Sequence, residues 1–261
     1  MAIVLLAILL IAVPTAMTGR GGGNFYVPVL VATGAPMHEA ATTGQLILIF
    51  TSVMAMLVFH KYGHVDWKLA LIIEPPTTIM ALAGGYFSHY VSGTSLKFIL
   101  TGLLVLAGFC MLMKVKERPV STKKRFGFWR REFADHEYVV NLWLVIPITA
   151  AVGLAAGAVG ISGGSFKVPL MVLACGVPMR IAVGTSSAMV AVTALMGFLG
   201  HAAGGDLNMG FALPAACAGA VGGLIGGKLA LKTKSHNLKQ LFAYTTLGAA
   251  VFMGFNTLLT K

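Results

Sequence analysis

Acidic residues are scarce in this chain. Its 261 residues include 8 Asp and Glu against 19 Lys and Arg, and charged residues of both signs amount to 10%. A water-soluble domain of this length needs more polar surface than that, so a soluble enzyme or binding module is excluded. Cysteine is as sparse: Cys110, Cys175 and Cys217 are too few and too scattered for a disulfide framework or a metal site, and they read as packing residues. The chain also lacks His-Glu-x-x-His and a phosphate-binding Gly-Lys-Ser/Thr. With neither a metal motif nor a nucleotide loop, enzymatic chemistry is not expected, and no cofactor is either. The 14 methionines show no Met-x-x-Met repeat, which favours core packing over copper binding.

Apolar sequence is what the chain has in quantity. Hydrophobic residues make up 57%, and the mean hydropathy is +0.85. They come in blocks of bilayer-crossing length: Ala2 to Met17, Gln45 to Phe59, Leu69 to Phe87, Leu96 to Met113, Val139 to Val159, Val183 to Leu199, Met209 to Leu231 and Leu241 to Leu259. The expected class is an all-α polytopic membrane protein. The first block ends in Thr18-Gly19-Arg20 rather than a small-residue cleavage site, so it reads as a membrane helix and not a signal peptide.

The net charge of +11 would suggest nucleic acid in a soluble protein, but eight of the basic residues lie between Lys114 and Arg131. That segment is the one long polar stretch. It reads as a cytoplasmic loop obeying the positive-inside rule, with anionic lipid headgroups rather than nucleic acid as its contact. It divides the chain into a first membrane repeat at 1–113, a basic loop at 114–137 and a second membrane repeat at 138–261.

The two halves match each other. Gly22-Gly23-Asn24-Phe25-Tyr26-Val27-Pro28 stands beside Gly163-Gly164-Ser165-Phe166-Lys167-Val168-Pro169, 141 positions on. After a one-residue slip, Gly34-Ala35-Pro36-Met37 pairs with Gly176-Val177-Pro178-Met179, and Ala40-Ala41-Thr42-Thr43 with Ala182-Val183-Gly184-Thr185. His60 falls opposite His201, Asp66 opposite Asp206 and Pro75 opposite Pro214. Order at nearly constant spacing indicates duplication. Each half then reads as four long helices plus one short segment, Asn24 to Thr33 or Ser165 to Cys175.

Those short segments decide the topology. If they do not cross, the repeats are parallel and the basic residues divide 11 inside to 7 outside. If they count as crossings, the repeats are inverted, 16 basic residues fall inside, and only Lys97 and Lys261 lie outside. The positive-inside rule favours inversion. Ten residues rising about 1.5 Å each span only half a bilayer, so these are broken half-helices.

Broken helices at corresponding positions of inverted repeats point to a transporter's substrate site. A glycine turn lets backbone N–H groups converge, and a helix N-terminus favours an anion. The candidate turns are Gly22, Gly23 and Asn24, and Gly163, Gly164 and Ser165, with Arg20 and Lys167 supplying charge beside them. The competing account is that the glycines permit close packing and Lys167 snorkels.

The pattern Gly-x-Ser-Gly-Gly-Ser-Phe-x-Val-Pro-Leu at 160–170, followed by Gly-Val-Pro at 176–178 and Ala-Val-Gly-Thr-Ser-Ser at 182–187, resembles the signature of the sulfite exporter TauE/SafE family. The likeness is strong in the second half and weaker in the first, where Thr18-Gly19-Arg20-Gly21-Gly22-Gly23 and Thr42-Thr43-Gly44 depart from it. It implies a bacterial or archaeal inner-membrane carrier for sulfite, sulfonates such as sulfoacetate, or related sulfur-containing anions. The partners so implied are that anion and the bilayer, and a homo-oligomer is compatible with it. A passive anion channel or a non-transporting membrane subunit is the alternative.

Further polar residues refine the site. Thr42, Thr43 and Gln45, with Thr185, Ser186 and Ser187, open the helices after the half-helices, where they either bond substrate oxygens or cap those helices. Glu74 precedes Pro75-Pro76, which is expected to break its helix. Its carboxylate is a candidate to carry a coupling proton or to pair with a cation such as Arg20. His60 and His201 end equivalent helices, where histidine either titrates for coupling or simply sits at the interface.

Overall fold

The computed structural model describes residues 2–35, 37–87, 93–112, 126–159, 163–202 and 208–259. Most of them are helical. Helix α1 (Ala2–Met17) ends at a glycine turn. The short α2 (Gly23–Ala32) follows, then α3 (Met37–Lys61), α4 (Trp67–Phe87) and α5 (Gly93–Leu112). A two-stranded hairpin, β1 (Phe128–Phe133) and β2 (His136–Asn141), leads into α6 (Leu142–Val159). The short α7 (Gly164–Pro169) continues as a π-helical turn over Leu170–Ala174 and precedes α8 (Met179–Ala202), α9 (Met209–Lys232) and α10 (Ser235–Leu259).

The short helices stop where the sequence says they should. Gly34 and Gly176, at φ of 92° and 71°, take the left-handed conformation that closes a helix and that a Cβ disfavours. In α7, Pro169 withholds a backbone N–H, and the next turn winds wider.

Among the described residues, Thr42–Lys61, Met179–Leu199 and Met209–Lys232 are long and apolar enough to cross a membrane, and Ala2–Met17, Gly23–Ala32, Leu142–Ala156 and Gly164–Ala174 are shorter apolar helices. Large apolar side chains nevertheless face outward on other helices too. Ile3, Leu6 and Leu10 of α1, Leu71, Ile79 and Leu82 of α4, and Val251 and Phe255 of α10 are all exposed. Such a surface fits lipid and not water.

Helix α3 packs on α8 and α9, α4 on α6 and α8, α1 on α9, and α5 on α10. Glycines set the close approaches. A Cβ at Gly219 or Gly223 would strike Thr51 of α3, and one at Gly222 or Gly226 would strike Ala12 or Val13 of α1, so the glycine-rich face of α9 is a packing face.

Two features differ from the sequence reading. The protein is mostly helical but not all-α, because the end of the polar segment pairs as a hairpin. Phe128 opposes Asn141 and Phe133 opposes His136, and the turn residues Ala134 and Asp135 both have positive φ, as a two-residue hairpin turn requires. Alternation places Tyr138 and Val140 in the helical core, where they pack with residues such as Leu69, Ile73 and Phe242. Helix α4, expected to break at Pro75-Pro76, runs through both prolines. Neighbouring helices hold it there. Thr77 Oγ1 donates to Ile73 O at 2.9 Å, and a Cβ at Gly153 of α6 would lie 2.3 Å from Thr77 O.

Candidate functional site

The two glycine turns meet. Asn24 Nδ2 donates to Ser165 Oγ at 3.0 Å, a contact between the two residues that the internal match places opposite each other. Gly22 has φ of 97° and ends the first turn, where a Cβ would sit 2.6 Å from Tyr26 Cζ and 2.9 Å from Thr15 Oγ1. Gly164 needs no unusual φ. Its constraint is contact, since a Cβ there would lie 2.7 Å from Val190 Cγ2 and 3.2 Å from Arg20 Cα. Neither α2 nor α7 has a side-chain cap at its start. The first N-terminus therefore keeps its N–H groups beside a crevice lined by Thr15, Arg20, Gly22, Gly23, Asn24 and Phe25. In this conformation the crevice is too tight for a water molecule.

Both basic residues are buried. Arg20 reaches α10, where Nη1 donates to Thr246 Oγ1 at 2.7 Å, Nη2 donates to the Thr245 hydroxyl, and the guanidinium lies 4.8 Å from the Phe242 ring centroid. Its Nε donates to Thr18 Oγ1 at 3.2 Å. Lys167 runs its stem over Gly163, and its ammonium forms an ion pair with Glu74 and donates to Thr193 Oγ1 at 3.2 Å. Glu74 also accepts from Thr193 and, at 3.0 Å, from Thr78. The cation that pairs with Glu74 is therefore Lys167 and not Arg20. Lys167 and Glu74 are 93 residues apart, and the packing of α4 and of α7 against α8 brings them together.

The hydroxyl residues expected to open α3 and α8 lie inside those helices, which begin at Met37 and Met179, so capping is not their role. Ser186 Oγ donates to Gly19 O at 2.8 Å and thereby ties α8 to the first glycine turn. Ser187 Oγ bonds back to Val183 O at 3.0 Å, and Thr185 Oγ1 accepts from the Asp66 N–H at 3.0 Å. Thr42 is buried in α3. Gln45 lies against Gly197 of α8, and the buried Thr43 hydroxyl has no hydrogen-bond partner among the described residues. The same is true of Ser52, whose hydroxyl would lie 2.3 Å from a Cβ at Gly21. Ser52 stands beside the first turn and escaped sequence reasoning, since the internal match sets Ala194 opposite it.

His60 is exposed at the end of α3, and its Nδ1 accepts from Trp67 Nε1 at 3.2 Å. His201 belongs to the end of α8. Neither helix end adjoins the glycine turns in sequence. The part of the motif at 160–162, and Asp206, lie outside the described residues.

A second polar cluster went unnoticed in the sequence. Asp66 is buried and caps α4, accepting from the N–H groups of Lys68 at 3.0 Å and Leu69 at 3.2 Å. It also accepts from Arg131 Nε at 2.8 Å and Nη2 at 3.1 Å, and from the Tyr138 hydroxyl. Burial pushes its pKa up, but the bonds from Arg131, Tyr138 and the Leu69 N–H, with the charge of Arg131, outweigh this and hold the carboxyl below the ordinary range. The same bond raises the pKa of Arg131. Nearby, burial first and then the charges of Arg180 and His136 lower the pKa of His64.

Comparison with known proteins agrees with a membrane protein. A probable membrane transporter protein of Bacillus subtilis (strain 168), YunE, is 28% identical over 237 residues, covering 86% of this chain and 86% of its own. A probable membrane transporter protein of Xylella fastidiosa (strain Temecula1) is 26% identical, covering 91% of this chain and 88% of its own. No solved structure matches the chain. The family model described as sulfite exporter TauE/SafE matches residues 4–253, and the chain therefore belongs to that family.

Proposed function

We propose that this protein is a secondary transporter for sulfite, a sulfonate such as sulfoacetate, or a related small sulfur-containing anion, working by alternating access in the inner membrane. The observation that carries the reading is the contact of the two glycine turns, Asn24 to Ser165, with buried Arg20 and Lys167 beside them. Two half-helix N-termini at one place offer an oxyanion more donors than either alone, and an oxyanion leaving water needs several. The family is one of exporters and not an enzyme class.

The packing supports a twofold relation between the halves, and the basic-residue count favours the inverted form of it. Each half supplies five helices with the second one short. Exchanging the halves turns the α1–α9 contact into α6–α4 and the α3–α9 contact into α8–α4, and both pairs are present. A twofold axis between the halves would also bring a residue against its own counterpart, and Asn24 and Ser165 stand in that relation. Substrate-binding roles are assigned to Arg20, Gly22, Gly23, Asn24, Thr42, Thr43, Gln45, Gly163, Gly164, Ser165, Lys167, Thr185, Ser186 and Ser187.

Thermal-shift screening of the purified protein with sulfite, sulfate, thiosulfate, sulfoacetate and taurine tests the ligand class, since a bound anion raises the melting point. Counterflow in proteoliposomes then separates a carrier from a passive channel. A carrier saturates and exchanges, whereas a channel does neither. Absence of any shift and of saturable flux would overturn the proposal.

A further inference from the structure

We propose that Glu74 occupies Lys167 in place of the substrate, so that a proton taken up by Glu74 and an anion taken up by Lys167 bind together, one of each. The inference rests on the anion-transport reading above. Its starting point is that the ammonium of Lys167, completely buried and one helical turn from the Gly163-Gly164-Ser165 turn, already holds an anion, and that anion is the Glu74 carboxylate. A single ammonium at this depth gains little from two carboxylate-like partners at once, because two like charges on one site repel. Substrate must therefore displace the carboxylate, and the least costly way to remove its charge from a buried position is to protonate it.

The surroundings satisfy Glu74 in either state. Ionised, it accepts hydrogen bonds from Thr78, Thr193 and Lys167. Thr193 Oγ1 has a second acceptor in reach, Met189 O at 3.0 Å. When a proton arrives from the aqueous side on Glu74 Oε1, the new O–H donates to Thr193 Oγ1, and Thr193 turns its own proton to Met189 O. Thr193 still accepts from Lys167, since a hydroxyl has one proton to give and two lone pairs to receive. The bond that breaks is the one between the ammonium and Glu74 Oε2, whose charge the proton has removed, and an oxygen of the incoming anion takes the place vacated at the ammonium. No covalent bond other than that O–H changes, and Lys167 keeps its three protons throughout.

The titratable group facing Glu74 is Lys167. Helix α6 carries none, α4 has only Lys68 and Tyr86 towards its two ends, and α8 has Arg180 and His201, about 20 Å and 12 Å along the helix from Thr193.

Calorimetry on the full chain in detergent tests this, with thiosulfate and sulfoacetate as probes because both stay fully ionised near neutral pH. Titrations in two buffers of different ionisation enthalpy give the protons taken up per anion. The wild type should take up about one, and its affinity should then fall by about tenfold for each pH unit of rise. Glu74→Gln, a stand-in for the protonated acid, should bind the same anions with no proton uptake and no such pH dependence. Anion binding without proton uptake in the wild type, or identical affinity and pH dependence in both proteins, would overturn the exchange while leaving the anion site standing. Binding by Glu74→Gln alone would support the exchange, because the carboxylate would then be what excludes the anion. Binding by neither, in wild-type protein that melts cooperatively, would overturn the transport reading and this inference together.

Discussion

Asp66 offers the most direct test of how the hairpin is held to the helices. Its carboxylate is buried, caps α4 through two backbone N–H groups, and accepts from Arg131 and Tyr138, while its own N–H reaches Thr185. Replacing it by Ala removes a cap worth about 1 kcal/mol and leaves the buried Tyr138 hydroxyl unsatisfied at about 1–3 kcal/mol. Arg131 has 19% of its side chain exposed and can be rehydrated, so its loss adds only about 1 kcal/mol. The total is on the order of 3–5 kcal/mol, which at roughly 2–4 °C per kcal/mol lowers the melting point by about 10 °C. Asp66→Asn keeps the shape and should fall between. The pH dependence checks the cause. A depressed carboxyl pKa adds stability above the unfolded value near 3.8, and that stability is lost as pH falls through the lower folded value. Wild-type melting should drop there and the Asn variant should not, so their curves converge in acid. The assay is melting in detergent followed by circular dichroism. Equal melting of wild type and Asp66→Ala at neutral pH, or an unchanged acid limb in Asp66→Asn, would refute the reasoning.

Further outcomes follow from the turns and the topology. Gly22→Ala and Gly164→Ala should each eliminate the anion-induced thermal shift in protein that still folds, because each Cβ enters the shared turn region; calorimetry should give one anion per chain, and a surviving half of the sites would refute a shared site. Cysteine placed at Lys234, in the loop between α9 and α10, should resist an impermeant reagent added outside intact cells, since the basic-residue count puts that loop inside; labelling from outside would refute the inverted arrangement.

The sequence made some of this legible and concealed the rest for identifiable reasons. The short segments at 24–33 and 165–175 emerge as α2 and as α7 with its π turn because glycine and proline act locally, and local rules can be read without knowing the fold. The Lys167–Glu74 pair was not legible, since nothing in either neighbourhood says which buried cation a carboxylate 93 residues away will meet. Helix α4 was misjudged because proline acts locally, whereas the packing of α4 against α6 and α8, which the whole fold sets, accompanies a continuous helix. The hairpin was hidden by charge. In Phe128–Phe133 and His136–Asn141, Arg and Glu mask an alternation whose inward positions, Tyr138 and Val140, are fully apolar or aromatic.

The duplication itself supplies an argument about which charges serve function. The match that sets Tyr26 opposite Lys167 continues, at the offset that carries Thr43 onto Thr185, to set Thr51 opposite Thr193. Both pairs are in contact in the folded protein, Tyr26 Oη with Thr51 Oγ1 at 3.2 Å and Lys167 Nζ with Thr193 Oγ1 at 3.2 Å. One half therefore holds this junction with neutral groups. The other uses an ammonium and adds Glu74, whose counterpart Leu213 is exposed. A buried ion pair costs desolvation that its attraction often fails to repay, and neutral replacements of both partners are frequently as stable or more so. Since Tyr26 and Thr51 demonstrate a neutral solution at the equivalent place, the fold does not require the charges at 167 and 74. The double variant Lys167→Tyr with Glu74→Leu should consequently melt at or above the wild-type temperature while losing anion binding altogether. Lys167→Tyr alone should melt lower, because it leaves the Glu74 carboxylate without its cation, at a cost of about 3–5 kcal/mol. A double variant that is as unstable as that single one would assign the pair to folding, and a double variant that still binds anions would remove Lys167 from the site.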